Sequence, residues 1–495
     1  MIKWAFEVSE KVNLVTIVRG VTRISYTKSN VVLGELPKRE EKKAHFPYLW
    51  DMYNPTKSKL TSGPFPVLHK PLHEKMDKAK EIFETSTFNR YMGPEDPELL
   101  IITCGACTSY SIEAVEELKL GKRVGILKLG TPWPLPEKLV AKHLNTTKKV
   151  LFVEEIEPFV EQSVMELAAS LLPTTCNLTF YGKRSGHLTP YNEQSTDLVI
   201  GALVSILGFK YQSRDLTYDR EAKELVKIVP PRPINLCPGC PHRATFWAIK
   251  NALRLDGRNG FLCGDIGCYS LGLSEGGFFQ SRTMHAMGSG AGVANGLGNL
   301  RQFGFDQPVL AICGDSTFYH AVIPAVVNSV YNNSNFILII ADNGGTAMTG
   351  FQPHPGTGEL ATKDPAKVID MEALCRSIGA HVEVCDPFDL KNTTEALLRL
   401  MKEDHGTKVV IMRHSCELIR AKREKRKPYK MSIDPERCVG DRCGCDRLCI
   451  RLFQCPGLVW DKGKGKATID EALCVGCGLC VDICHQNALI KEAMV

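Results

Sequence analysis

The chain has 495 residues, 44% of them apolar and 23% charged, and a net charge of +6 from 61 basic and 55 acidic side chains. At roughly 100–200 residues per domain this length predicts about three domains. The balance excludes a disordered, collagenous or coiled-coil chain, and so mild a charge gives no case for a nucleic-acid partner.

No export signal opens the sequence, because Met1-Ile2-Lys3 is followed by Glu7, Glu10 and Lys11. The longest apolar run, Leu198 to Phe209, holds two glycines and a serine and is too short to span a bilayer. A cytoplasmic protein with no membrane partner is therefore expected. In a reducing compartment its cysteines read as metal ligands or free thiols, not disulfides.

In chain order, Leu14 to Val18 reads as a buried strand and Arg23 to Gly34 continues the β-like pattern, with no partner elements following. Pro37 to Lys70 has weak periodicity, and 46–90 is taken as a linker region. Strands then alternate with helices: Leu99–Thr103, Arg123–Leu127 and Val150–Val153, with helical stretches around Glu113–Leu120 and Pro136–Leu144. A second alternating block places strands at Phe261–Cys263, Val309–Cys313, Phe336–Ala341, His381–Cys385 and Val409–Met412. Its helices lie near His242–Leu253, Ala291–Arg301, Phe318–Tyr331 and Leu390–Met401. Both blocks have the pattern of parallel βαβ units. Arg420 to Lys430 breaks all periodicity and reads as a solvated basic linker at 419–431, the alternative being a docking surface for an acidic electron acceptor.

Cysteine is the outlier, with nine of 20 in the last 58 residues. Cys474-x-x-Cys477-x-x-Cys480-x-x-x-Cys484 is the spacing at which three thiolates wrap one cubane and the fourth crosses to a second cluster. Soft thiolates also suit zinc, but zinc sites use paired C-x2–4-C elements. His485 stands where a proline usually follows the fourth cysteine, a turn position and not a ligand. Upstream, Cys455-Pro456 ends a second half-motif, and the paired lead-ins Ile433-Asp434-Pro435-Glu436 and Ile469-Asp470-Glu471 support a duplicated unit. By the crossing rule Cys455 completes the cluster of Cys474, Cys477 and Cys480, and Cys484 completes that of the first half. Cys438, Cys443, Cys445 and Cys449 then compete for three places; Cys449 is retained and the choice among the others stays open.

The strand Val309–Cys313 runs into Gly314-Asp315-Ser316, and the next strand, Phe336–Ala341, runs into Asp342-Asn343-Gly344-Gly345. The pair resembles the thiamine diphosphate (TPP) motif, in which Gly-Asp-Gly/Ser is followed by a spaced Asn. Mg²⁺ takes hard oxygens in octahedral geometry and keeps phosphate oxygens in its shell. The Asp315 carboxylate, the Asn343 amide oxygen and a backbone carbonyl near Gly345 supply three. Both loops fall at carboxyl ends of strands, where α/β sheets bind ligands. An ordinary pair of βα turns is the bland alternative.

The flanking segments carry a wider resemblance. Leu236-Cys237-Pro238-Gly239-Cys240-Pro241-His242-Arg243, Gly264-Asp265-Ile266-Gly267-Cys268-Tyr269, and Thr346 through Gly356 (TAMTGFQPHPG) look like the large subunit of indolepyruvate ferredoxin oxidoreductases. Gly130-Thr131-Pro132-Trp133-Pro134-Leu135-Pro136 and Val153-Glu154-Glu155-Ile156-Glu157-Pro158-Phe159 resemble it as well. The resemblance implies an α/β chain of two open, mostly parallel sheet domains plus a small C-terminal α+β two-cluster ferredoxin domain. The sheet domains would be a transketolase-C-terminal-like domain at 91–210 and a TPP-binding domain at 211–418, and the ferredoxin domain would occupy 432–495.

It further implies TPP, Mg²⁺ and two 4Fe-4S clusters as cofactors. The implied partners are a beta subunit, ferredoxin, coenzyme A and an aryl 2-oxoacid. The reaction would convert 2-oxoacid, coenzyme A and oxidised ferredoxin to acyl-coenzyme A, CO₂ and reduced ferredoxin, with TPP as the electron sink. Cys237, Cys240, His242, Asp265, Gly267, Cys268, Gly314 and Ser316 are carried into the cofactor pocket, with His242 able to donate to a phosphate. Two bland readings compete: Cys237 and Cys240 pairing with Cys104 and Cys107 around zinc, and Cys268 as a structural thiol. His320 and His354 receive no catalytic role.

One departure matters. The family's large subunit begins with a pyrimidine-binding domain whose glutamate activates the cofactor, and residues 1–45 resemble only its tail. No candidate for that glutamate can be placed. A split subunit completed by a separate chain, a truncated sequence and a degenerate paralogue are the three explanations. The competing functions are a non-catalytic iron–sulfur scaffold, an oxidoreductase for another 2-oxoacid, and non-oxidative decarboxylation or carboligation, which would need no ferredoxin module.

Overall fold

The structure, a computed structural model, describes residues 1–35, 65–212, 215–229, 233–443 and 447–494. Cys445 lies outside the described residues, as does most of the first half of the expected 46–90 linker. The chain divides into two compact units, 1–226 and 227–495.

The first unit is built on strands β1 (Arg90–Met92), β2 (Leu99–Thr103), β3 (Val124–Lys128), β4 (Lys149–Val153) and β5 (Thr179–Tyr181), in spatial order β1-β3-β2-β4-β5. All pairs are parallel except the edge strand β1, which runs antiparallel to β3. Alternate residues of β2 point to opposite faces. Leu99 and Ile101 meet the helices Cys107–Glu117 and Thr196–Leu207, whereas Leu100 and Ile102 meet Glu137–Leu144 and Phe159–Ser170. A strand buried on both faces has to read as a continuous apolar run.

Two expectations fail at the N-terminal end. Leu14–Val18 is not a strand: Val15 and Ile17 are about nine-tenths exposed and pair with nothing in the sheet. Instead Ile2–Val12 forms a helix whose Val8 and Val12 pack on Ala79 and Phe83 of a second helix, Phe65–Glu84. The second half of the expected linker is therefore mostly helical. Its apolar stripe docks the first helix, while Lys80 pairs with Glu137 and Glu84 accepts the N–H groups of Lys138 and Leu139.

The second unit carries an all-parallel sheet of β6 (Phe261–Cys263), β7 (Ser281–Thr283), β8 (Val309–Gly314), β9 (Phe336–Asp342), β10 (His381–Cys385) and β11 (Thr407–Arg413), ordered β10-β11-β9-β8-β6-β7. Every residue of β8 is buried. Its Leu310 and Ile312 join one core and its Ala311 and Cys313 the other. β8 and β9 lie side by side, so the loops after them share one edge.

The C-terminal segment adds two antiparallel pairs, β12 (Tyr429–Ile433) with β15 (Leu489–Ala493) and β13 (Leu458–Asp461) with β14 (Lys466–Ile469). The basic stretch is no linker. Glu417–Glu424 is a helix, held by Arg420 forked on Glu417 and reaching Glu424, and Tyr429 onward is β12. One core runs from Leu236 and Trp247 through to Phe453, Leu479 and Ile483, so the segment is packed onto the parallel-sheet domain. No helix among the described residues is long and apolar enough to cross a membrane.

Candidate active site

β8 ends in Gly314, and Asp315 begins the next helix at 3% exposure. Its Oδ1 accepts the N–H of Ser316 at 2.8 Å. Its Oδ2 accepts the N–H groups of Asn343, Gly344 and Gly345, at 3.2, 2.9 and 3.2 Å, from the loop after β9. One carboxylate thus ties together the two loops that the sequence motif separates.

Gly345 N–H also donates to Asn343 Oδ1 at 3.2 Å, which fixes the amide orientation. Asn343 Nδ2 then faces His242 Nε2 at 3.1 Å, and an amide nitrogen can only donate. The His242 proton is therefore on Nδ1. Burial pushes this imidazole down to about 4, so it is neutral at physiological pH. Donation from His242 to a phosphate can come only from Nδ1.

His354, on the loop Gln352–Thr357, is the residue the sequence reading missed. It is 5% exposed, and its Nε2 lies 3.1 Å from Asp315 Oδ2 without the alignment of a hydrogen bond. The flanking prolines give no hint of this neighbour. His320, its companion in that reading, sits on the distorted turn Phe318–Val322.

The remaining candidates shape the site. Asp265 is fully buried, with Oδ1 accepting from Ile266 and Gly288 and Oδ2 from Gly290. It pins the start of the helix Ser289–Gly298 to the end of β6. The Tyr269 ring lies between Gly267 and Gly314, where a Cβ on either would approach Tyr269 Cε1 to 2.5 or 2.6 Å. Tyr269 donates to the Ile266 carbonyl at 2.6 Å and accepts from Thr317 at 2.8 Å. Burial pushes the Cys268 thiol up to about 11 and that of Cys240 up to about 12, so both are protonated.

The donor set fits a hard cation beside a diphosphate. A buried carboxylate from the loop after β8 and an amide oxygen from the loop after β9 lie side by side, no lysine or arginine among the described residues is paired with Asp315, and His354 presents a buried polar atom with no hydrogen-bond partner among them.

Cys455, Cys474, Cys477 and Cys480 line a single cavity, with Pro238, Gly239 and Arg243 on its wall. Among the described residues no three His, Cys, Asp or Glu side chains converge as a single ion requires. Four thiols spread around a cavity suit a cubane better than zinc. Cys449 and Cys484 pack on a smaller core beside β13 and β15 that Cys455 and Cys480 also join, so thiols expected for both clusters lie around it. Cys438 lies just after β12 and Cys443 ends the turn Gly440–Cys443.

Residues 265–412 match the family described as thiamine pyrophosphate enzyme, C-terminal TPP binding domain. Residues 467–490 match the 4Fe-4S binding domain. Across 99% of its length the chain is 38% identical to the indolepyruvate oxidoreductase subunit IorA of Pyrococcus horikoshii, covering 75% of that protein. Across 98% it is 36% identical to the subunit of the same name from Archaeoglobus fulgidus, covering 74%. A solved 2-oxoglutarate:ferredoxin oxidoreductase from Magnetococcus marinus is similar over 38% of this chain and 66% of that one, at 20% identity and a TM-score of 0.33, too slight to carry an argument.

Proposed function

Because the chain belongs to the family of indolepyruvate oxidoreductase subunit IorA, we propose that Asp315 and Asn343 hold the diphosphate end of TPP and that Cys455, Cys474, Cys477 and Cys480 hold the cluster that takes its electrons. The chain is a subunit of a TPP-dependent 2-oxoacid:ferredoxin oxidoreductase with iron–sulfur electron transfer. When bound, TPP supplies the electron sink on which a 2-oxoacid can lose CO₂.

The chain's own residues supply position. Asp315, Asn343 Oδ1 and the Gly345 carbonyl offer three hard oxygens to Mg²⁺, and His242 Nδ1 and His354 Nε2 offer protons to phosphate oxygens. Ser316 extends the loop, while Gly267 and Gly314 leave room for Tyr269 and Asp265 holds the sheet edge. Cys237, Cys240 and Cys268 contribute protonated thiols around the site. We assign Cys484 and Cys449 to a second cluster, with two of Cys438, Cys443 and Cys445. The carboxylate that activates the aminopyrimidine is assigned to a pyrimidine-binding domain outside this sequence.

The substrate proposed is an aryl pyruvate, with coenzyme A as acyl acceptor, ferredoxin as electron acceptor and a beta subunit in the complex.

One observation carries the reading: a buried carboxylate gathers the loops of β8 and β9 within the same unit as a four-cysteine cavity. The test is the anaerobically purified complex. TPP binding by calorimetry should require Mg²⁺. Viologen reduction should run faster with indolepyruvate and phenylpyruvate than with pyruvate or 2-oxoisovalerate. Asp315→Ala should abolish both binding and turnover while the iron–sulfur spectrum persists; unchanged turnover would overturn the assignment.

A further inference from the structure

His242 and Arg243 are neighbours on the first turn of the helix Pro241–Asp256, and they serve different surroundings. His242 meets Asn343, whereas Arg243 lines the cavity of the four cysteines. Arg243 is 1% exposed. Its Nη1 donates to the Phe453 carbonyl at 2.8 Å, and its Nη2 donates to Asn235 Oδ1 at 2.9 Å and the Leu236 carbonyl at 2.7 Å. Every one of these acceptors is neutral. The buried Nε–H has no acceptor among the described residues. Glu417, the buried carboxylate near this loop, is already forked on Arg420. A guanidinium buried without a counter-charge is far too costly to be kept as a packing residue, and arginine does not escape by losing its proton.

The missing anion has a natural source in the same cavity. A cubane with four thiolates is a net anion, and its negative charge grows by one on reduction. Its sulfurs accept N–H hydrogen bonds, and both effects set its potential. Resting on the reading that Cys455, Cys474, Cys477 and Cys480 bind this cluster, we propose that Arg243 is its buried counter-cation and hydrogen-bond donor and raises its reduction potential. The placement suits a first electron acceptor. Gly239, three residues before His242, packs so closely on the cluster loop that a Cβ there would lie 2.5 Å from Val475 Cγ2 and 3.4 Å from Cys477 Cβ. Arg243 acts through the cluster and is a positioning residue, not a catalytic one.

The test is a redox titration of the anaerobic complex, followed by EPR, for the wild type, Arg243→Met and Arg243→Lys. Arg243→Met should shift the oxidation equilibrium of one cluster at least tenfold toward the oxidised form, about 59 mV for one electron. Other midpoints and the iron and sulfide content should stay unchanged. Arg243→Lys keeps the charge and should recover part of the shift. Should Arg243→Met not assemble, wild-type complex labelled with heavy nitrogen in arginine serves instead. Pulsed EPR of its reduced cluster should show coupling to one guanidinium nitrogen. An unmoved midpoint at full iron content, or no such coupling, would overturn the role of Arg243. Wild-type complex without cubane signals would instead overturn the ligand assignment beneath it.

Discussion

His354 Nε2 stands 3.1 Å from Asp315 Oδ2, yet its N–H is not directed at that oxygen. Gly356 N–H donates to His354 Nδ1 at 3.2 Å, so a neutral ring carries its proton at Nε2. Asp315 Oδ2 already accepts three backbone N–H groups. A buried donor left unmade costs about 1–3 kcal/mol, and a diphosphate oxygen beside Asp315 would remove that cost. His354→Ala should weaken TPP binding about tenfold, about 1.4 kcal/mol, and His354→Gln should recover part of it. Calorimetry with Mg²⁺ present checks this, with EPR confirming that the clusters are untouched. Equal affinities would assign His354 to packing alone.

His242 makes stability depend on pH. In the unfolded chain its imidazole takes up a proton below about 6.5, whereas burial holds the folded form neutral to about 4. Unfolding therefore absorbs a proton between these values. The contribution is complete above pH 6.5 and is lost as pH falls toward 4, by up to about 3 kcal/mol. Urea unfolding at pH 7 and pH 4.5 should show a smaller loss for His242→Gln than for wild type. An equal loss in both proteins would mean that His242 protonates freely while folded.

The sheets were legible because a strand covered on both faces leaves a continuous apolar run, as Val309–Cys313 does. β7 was not, because Ser281–Thr283 is a short polar edge strand with nothing to distinguish it from a turn. Arg420–Lys430 misled for a related reason. Its order comes from Arg420 forked on Glu417 and from backbone pairing of β12 with β15, neither of which leaves an apolar period. In the site, Asp315 and Asn343 were visible through strand ends and spacing. His354 and the buried contacts of Arg243 were not, since their partners are remote in sequence and only the folded chain brings them together.

Gly239 should tolerate no side chain. Its φ of +69° already disfavours an L residue, and a Cβ would press on Val475 and on Glu417 Cγ at 2.9 Å. Left-handed strain and overpacking together put the cost of Gly239→Ala at about 2–4 kcal/mol. Gly257→Ala is the control: its φ is +78° but nothing lies within 4 Å, so only the backbone cost of about 1 kcal/mol should appear. Denaturation midpoints compare the two. Gly239→Ala alone should also alter the EPR line shape of a cluster. An unaltered spectrum together with equal destabilisation would separate this loop from the cluster.

Glu154, in the Val153–Phe159 motif that carries part of the family resemblance, is structural in the fold. It is 4% exposed at the end of β4, and its two oxygens accept the N–H groups of Val160 and Glu161 at 2.8 and 2.9 Å. Those N–H groups open the helix Phe159–Ser170, where a carboxylate also faces the positive end of the helix dipole. Glu161 continues the pattern, accepting from the backbone of Lys183 and Arg184. Glu154→Ala strands two buried donors and should cost about 2–4 kcal/mol. Glu154→Gln keeps one acceptor and should cost about half as much. Chemical denaturation measures both, while the TPP affinity and cluster potentials of the folded complex should match wild type. A Glu154→Ala complex of normal stability but without turnover would instead place this carboxylate in the chemistry.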